Sequence, residues 1–271
     1  MAAPGITGTL LLLQEHFRNT TNDFMRSATL RGLVIHTADE AGASDGPDPQ
    51  FGWGLINAEK AAQLITNAFK TNNNAIVQEF DSRTAPLSQG GTVIKTVKAK
   101  GGEPLVATIA WTDRAGIVNT GTVDLKTPVL VNDLDIRITK GTELFFPWRL
   151  NDVKEQPAIK ADNFVDNVEK VEIKNPLSEV YTVTVTHKGN LVSGSQDFSL
   201  IISGIEVGSL GINDLENETL KLWPNPMKDF INVVEKSNFS EEMFVEVYDM
   251  LGVKKIDKKF TSSDSKNAQK I

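Results

Sequence analysis

The sequence has 271 residues, of which 40% are hydrophobic, and a formal net charge of −7 at pH 7. This composition is typical of a globular protein, and its acidic balance disfavours nucleic acid as a partner, because nucleic acids bind basic surfaces. The absence of cysteine excludes disulfides, thiolate metal sites and a cysteine nucleophile. No apolar run reaches the ~18 residues of a membrane span, so we predict no transmembrane segment.

The first 69 residues carry helical patterns. Leu10–Leu13 make the first pattern apolar around its whole circumference, which predicts a helix packed on every side. Two further helical patterns run over Phe24–Thr37 and Asn57–Phe69, and a stretch rich in Gly, Pro and Asp separates them. A polar stretch at 70–75 then predicts a linker.

From residue 76 to residue 205, short β-rich runs alternate with turn-forming residues. The runs are "TVIKTVKA", "LVATIAW", "LDIRIT", "VEKVEI", "VYTVTVTH" and "FSLIIS". This pattern predicts an antiparallel sandwich or jelly roll. A second linker over 206–219 precedes further strand patterns in 220–271. The predicted fold class is therefore mixed, with a helical segment (1–69), an all-β domain (76–205) and a small β-sandwich (220–271).

The opening "MAAPGITGTLLLL" resembles the helix that follows the nucleophile in subtilisin-like serine proteases, whose pattern is Gly-Thr-Ser-Met-Ala-(Ala/Thr)-Pro. The stretch "DPQFGWGLINAEKA" resembles the closing segment of the same family, where a Gly-Trp-Gly turn and an asparagine precede the last helix. The matching residues are Met1, Ala2, Ala3, Pro4, Gly52, Trp53, Gly54 and Asn57. The resemblance implies that residues 1–69 are the end of an α/β catalytic domain.

In that family, the serine nucleophile, the histidine base, its aspartate and the oxyanion-hole asparagine all precede this segment. The resemblance therefore implies a nucleophile just before Met1 and no catalytic residue within the chain. We also expect residues 1–68 to be poorly ordered when the chain is made alone, because the sheet of the catalytic domain is absent. His16, His36 and His187 lack metal-like spacing and are expected to be structural or surface histidines.

The stretches "GEPLVATIAWTD", "PVLVNDLDIRI" and "SQDFSLIISG" resemble the β-barrel domain of an alkaline branch of these proteases, which is related to the P domain of kexin-type convertases. The resemblance implies a domain that stabilises the protease and holds calcium, an ion that prefers oxygen ligands from loops. The candidate ligands are Asn132, Asp133, Asp135, Asp162, Asn163, Asp166 and Asn167. We predict calcium at Asp133, Asp135 and Asp166, with plain turn formation as the alternative.

The stretches "LKLWPNPMKDFINVV" and "FVEVYDMLGVKKI" resemble the type A sorting domain of type IX secretion substrates. Its Pro-Asn-Pro turn fixes two φ angles and ends regular structure. The motif residues are Trp223, Pro224, Asn225, Pro226, Tyr248, Asp249 and Gly252. The resemblance implies a Gram-negative bacterium, export to the surface or the medium, and the type IX secretion machinery as a partner.

Two functions of different class follow from these patterns. The first is the C-terminal part of a secreted subtilisin-like endopeptidase that cleaves protein substrates, in which this chain supplies the end of the catalytic domain, an accessory barrel and an export tag. On that interpretation the chain alone is inactive. The alternative is a non-catalytic exported β-sandwich that binds protein or glycan.

Overall fold

A computed structural model describes most of the chain up to residue 206 and only the backbone of five strands beyond it. The described residues are 2–70, 74–121, 123, 127–153, 156–206, 220–223, 232–235, 243–248, 254–260 and 269–270. The chain divides into two compact units, Met1–Gly211 and Ile212–Ile271.

Three helices open the first unit: α1 (Ala2–Thr21), α2 (Ser27–Thr37) and α3 (Ala58–Phe69). The start of α3 is fixed by Asn57, whose side chain accepts a hydrogen bond of 2.8 Å from the backbone N–H of Lys60. This contact satisfies one of the N–H groups that the first turn of a helix leaves without a partner.

The strands of the first unit form two four-stranded antiparallel sheets. Their bounds are β1 (Ile76–Phe80), β2 (Leu87–Ser88), β3 (Val93–Lys98), β4 (Leu105–Ala110), β5 (Asp133–Lys140), β6 (Glu143–Phe145), β7 (Trp148–Arg149), β8 (Ile159–Lys160), β9 (Val168–Ile173), β10 (Val180–Lys188), β11 (Ser195–Gln196) and β12 (Phe198–Ser203). The first sheet has the order β1-β12-β4-β9, the second has the order β3-β10-β5-β6, and β2 with β11 and β7 with β8 form short pairs. The prediction of a mostly β fold of the sandwich type is confirmed.

The sandwich core lies between the two sheets. Its largest fully buried side chains include Trp111, Tyr181, Ile109, Leu134 and Leu200. The indole N–H of Trp111 donates a hydrogen bond of 2.9 Å to the backbone oxygen of Asn132, so the ring is buried without an unsatisfied polar atom. The core therefore forms between residues far apart in sequence.

Helices α2 and α3 cover the outer face of the first sheet, and α1 packs mainly on α3. A second core joins Leu33, Ile65 and other helix residues to Val77 on β1 and Ile201 on β12. Strands β4 and β12 are consequently buried on both faces, which explains why their sequences read as nearly continuous apolar runs. The helical segment thus packs on the sandwich, where we expected it to require the sheet of a catalytic domain.

Helix α1 is packed on one side. Leu13 and Phe17 are buried in the second core, whereas Leu11 and Leu12 are 70% and 66% exposed. The prediction of a helix packed on every side is therefore wrong for this chain, because α2 and α3 cover only one face of α1. The other face is an exposed apolar surface.

The second unit contains five strands: β13 (Leu220–Trp223), β14 (Asn232–Glu235), β15 (Met243–Tyr248), β16 (Lys254–Phe260) and β17 (Gln269–Lys270). They form a sheet of order β13-β14-β17 and a separate β15-β16 pair. Within the described helices of the whole chain, none is long and apolar enough to cross a lipid bilayer.

Candidate functional site

The first group of predicted site residues lies at the start of α1. Ala2, Ala3 and Pro4 form the first turn of that helix, where a proline is tolerated because its missing N–H has no intrahelical acceptor. Met1 lies outside the described residues. The exposed face that follows combines Leu11 and Leu12 with glycines, and no neighbouring atom lies within 4 Å of the Cβ positions of Gly5 and Gly8. This face has the room for another structure to approach the helix closely.

The Gly-Trp-Gly segment forms a turn between α2 and α3. Gly54 has a φ of +104°, and a Cβ atom there would lie 2.1 Å from the backbone oxygen of Asp39, so a side chain does not fit. Asp39 lies before this segment and Leu55 directly follows it. The backbone N–H of each donates a hydrogen bond of 2.8 Å to the backbone oxygen of the other. Asn57 also binds Asp39, because its Nδ2 donates a hydrogen bond of 2.8 Å to the Asp39 carboxylate. In this structure these residues hold the turn and start α3.

Among the described residues of the first unit, one serine-histidine pair has a distance compatible with proton transfer. His36 Nε2 lies 2.8 Å from Ser203 Oγ, and His36 Nδ1 lies 2.9 Å from Thr108 Oγ1. A Ser-His-Asp arrangement needs a carboxylate on the second ring nitrogen, and here a threonine hydroxyl takes that place. Burial lowers the pKa of His36 well below its usual 6.5, with a further contribution from the charge of Lys170. The pair is buried and lacks the aspartate, so it is structural.

Two of the three predicted calcium ligands belong to a charged cluster at one end of β5 and β10. Asp135 Oδ1 lies 2.9 Å and Asp133 Oδ2 lies 3.5 Å from the ammonium nitrogen of Lys188, and Asp162 Oδ2 lies 2.8 Å from the same atom. Arg137 also pairs with Asp135 and Asp162. The lysine ammonium thus occupies the centre of the three carboxylates.

A buried glutamate completes this cluster. Glu169 on β9 is fully buried and accepts a hydrogen bond of 2.8 Å from the backbone N–H of Ile136 on β5, so it joins the two sheets. Its other carboxylate oxygen has no hydrogen-bond partner. Burial raises the pKa of Glu169 well above its usual value and raises the pKa of Asp133 to about 6, although Lys188 opposes the shift at Asp133.

Asp166, the third predicted ligand, makes local contacts in the loop before β9. Its carboxylate accepts a hydrogen bond of 3.0 Å from Asn163 Nδ2, and its backbone N–H donates to Asn163 Oδ1 at 3.2 Å. Within the described part of the chain, no three His, Asp or Glu side chains are grouped so that they could hold a metal ion. Calcium binding at Asp133 and Asp135 would require the ammonium of Lys188 to move, and it stays a prediction.

Lys188, Arg137 and Glu169 were not recognised as members of this cluster from the sequence. Lys188 pairs with Asp133 across β10 and β5, so the contact depends on the register of two strands about 50 residues apart. Arg137 lies two residues after Asp135 on the same strand and therefore shares its face, which is a signal that the sequence does contain. The position of Glu169 depends on the packing of the two sheets and leaves no local signal.

The sorting-motif residues lie in the second unit. Trp223 is the last residue of β13, and Tyr248 is the last residue of β15. The remaining motif residues, which lie outside the described part of the chain, are Pro224, Asn225, Pro226, Asp249 and Gly252. Both motifs thus begin where a strand ends, as expected of turns.

Two comparisons with known proteins bear on this chain. It is 32% identical over 94 residues to serotype-specific antigen 1 of Mannheimia haemolytica; the match covers 35% of this chain and 9% of the antigen. The chain therefore spans less than a tenth of that relative's length. Neither this match nor the family match described next supports the subtilisin-like resemblance of residues 1–69.

The second comparison concerns the C-terminal unit. Residues 221–271 match the family of the secretion system C-terminal sorting domain. This match contains the Trp-Pro-Asn-Pro and Tyr-Asp-Met-Leu-Gly motifs and all but the first residue of β13. Such a domain interacts with the type IX secretion machinery, so the protein is secreted or displayed at the cell surface through type IX secretion.

Proposed function

We propose that this chain is the C-terminal part of a secreted subtilisin-like serine endopeptidase. In this proposal, residues 1–69 end the catalytic domain, residues 76–205 form an accessory sandwich, and residues 220–271 direct export. The parent enzyme would cleave protein or peptide substrates. The nucleophile would directly precede Met1.

The observation that carries the proposal is the exposed face of α1. Leu11 and Leu12 together leave most of their apolar surface in water, and full burial of each such side chain is worth about 1.5–3 kcal/mol. The glycines one and two turns earlier would let the backbone of another segment approach. A helix buried beneath a protease active site needs an apolar surface and room for another backbone to approach. The motif residues at the start of α1 also support the assignment of this helix to a protease.

The sequence of the gene upstream of Met1 tests this proposal directly. We expect in-frame codons for Gly-Thr-Ser immediately before Met1, preceded by segments that carry the histidine, aspartate and asparagine of the protease. An in-frame stop codon close to Met1 would contradict the proposal. It would favour the exported binding module, for which the shared core of the helices and the sandwich is the supporting observation.

The purified chain is expected to hydrolyse no peptide bond. Acyl transfer by a serine protease needs a positioned nucleophile and base, and general acid-base assistance is typically worth about 10²–10⁴-fold in rate. His36, the histidine that contacts a serine, is buried and has no carboxylate partner. The measurement is turnover of a fluorogenic casein together with labelling by a fluorophosphonate probe, with subtilisin as the positive control. Labelling of the purified chain would disprove the expectation.

Calcium is expected to stabilise the first unit. A site that binds only the folded state, at a free calcium concentration a hundred times its Kd, adds about 2.7 kcal/mol, which raises the Tm by several degrees. Thermal melting with calcium and with chelator measures the shift. The double variant Asp133→Ala, Asp166→Ala should abolish it, and magnesium should substitute poorly because it demands tighter octahedral geometry. Coincident melting curves of the unmodified chain with and without calcium would contradict the prediction.

A further inference from the structure

His36 lies inside the contact between α2 and the first sheet. It is 6% exposed, and its two ring nitrogens contact the hydroxyls of Thr108 on β4 and Ser203 on β12. Since β4 and β12 are neighbours in the sheet, one imidazole ties the helix to two strands. A neutral ring donates one of these hydrogen bonds and accepts the other, since each hydroxyl can take either role.

The rest of this contact also depends strongly on hydrogen bonds. Thr29 Oγ1 lies 2.8 Å from Ser199 Oγ, and the guanidinium of Arg31 donates to the backbone oxygens of Trp111 and Asn167. The large apolar side chain that α2 buries completely is Leu33. Leu33 belongs to the second core with Ile65 and Ile201, so opening of this contact exposes apolar surface as well as breaking these hydrogen bonds. One layer of a folded unit can open locally before the whole unit unfolds.

The charges around the ring would oppose its protonation. Lys170 on β9 donates to the backbone oxygen of Ile35 at 3.2 Å, and its positive charge acts on the ring. Strands β4 and β12 present hydroxyls to the ring. Glu40 and Glu172 are the carboxylates that act on Lys170, and among the described groups no carboxylate acts on His36 itself. A charged imidazolium at this position would be buried beside another cation without an anionic partner, which is unfavourable.

We propose that His36 is an acid-sensitive latch between the helical layer and the sandwich. When the ring gains its second proton, α2 leaves the first sheet while the sandwich stays folded. This role is independent of proteolysis, because it uses contacts within the first unit alone.

The direction of the pH dependence follows from linkage. In the open or unfolded state, His36 takes up a proton near its usual pKa of 6.5. In the folded state its pKa is lowered, so the ring stays neutral to a lower pH. The stabilising contribution of the latch is therefore complete above about pH 6.5 and is lost as the pH falls below that value. One proton taken up on opening raises the equilibrium constant of opening by up to about tenfold per pH unit.

Hydrogen exchange of the full chain at several pH values between 7.5 and 4.5 tests the latch. After correction for the intrinsic exchange rate, the amides of α2 should lose protection by up to about tenfold per pH unit below 6.5, whereas the amides of β10 should not. The variant His36→Gln should remove this pH dependence, because an amide can still donate to one hydroxyl and accept from the other without titrating. The variant His16→Gln is the matched control, because His16 contacts Thr66 within the helical layer.

Three results would overturn the proposal. The first is an unchanged pH dependence of α2 exchange in His36→Gln, and the second is its loss in His16→Gln. The third comes from NMR of the unmodified chain, which does not depend on a variant folding. If the ring of His36 titrates near pH 6.5 while the amides of α2 keep their protection, protonation does not open the contact.

Discussion

A periplasmic reporter protein that carries residues 212–271 at its C-terminus is expected to reach the cell surface or the medium in a bacterium with type IX secretion. The same reporter without these residues should stay in the periplasm. The reason is that residues 221–271 match a sorting domain, and this domain forms the larger part of a compact unit of its own, Ile212–Ile271. Cell fractionation and protease accessibility of the reporter in intact cells measure the outcome.

A matched variant isolates the contribution of the motif turns. Replacement of Pro224 and Pro226 by alanine frees two φ angles while the strand residues are unchanged, so export should fall sharply with little loss of reporter folding. Retention of the unmodified fusion in the periplasm would show that residues 212–271 are insufficient for sorting. Full export of the double-proline variant would show that the turn is not part of the recognised motif.

The replacement Trp111→Ala is expected to destabilise the first unit by about 3–5 kcal/mol, the range for removal of a large buried aromatic side chain. Trp111 is fully buried between the sheets, and its indole N–H donates to the backbone oxygen of Asn132. Its own backbone oxygen accepts from Arg31 on α2, so a shift of its backbone would also disturb the contact with the helical layer. Urea unfolding followed by circular dichroism measures the change.

Two further variants separate packing from hydrogen bonding at this position. Trp111→Phe keeps most of the ring but leaves the oxygen of Asn132 without its donor, which costs about 1–3 kcal/mol. Trp53→Ala removes an indole from the turn between α2 and α3, where it is partly exposed, and should cost less than Trp111→Ala. Equal losses for Trp111→Ala and Trp53→Ala would contradict the central position of Trp111 in the sandwich core.

The sequence determined the elements whose signals are local. The period-two runs that became β3, β5, β9 and β10, together with the short apolar runs that became β4 and β12, predicted an antiparallel sandwich, because both patterns depend on residues adjacent in the chain. The Asn57 cap fixed the start of α3, and the turn-forming residues of the Gly-Trp-Gly segment predicted the turn before it. The Trp-Pro-Asn-Pro motif likewise identified the sorting domain from a few consecutive residues.

Only the tertiary structure decided where the helices pack and which charges meet. The apolar residues of β12 are compatible with a sheet that has one exposed face and with a sheet that is covered on both faces. Ile201 is buried beneath the helices, so the sheet is covered on both faces at β12. Lys188 lies among Asp133, Asp135 and Asp162 because strand register and loop position bring them together across long sequence separations. Contacts of this kind depend on the closure of long loops and on sheet packing, so no local pattern in the chain could have predicted them.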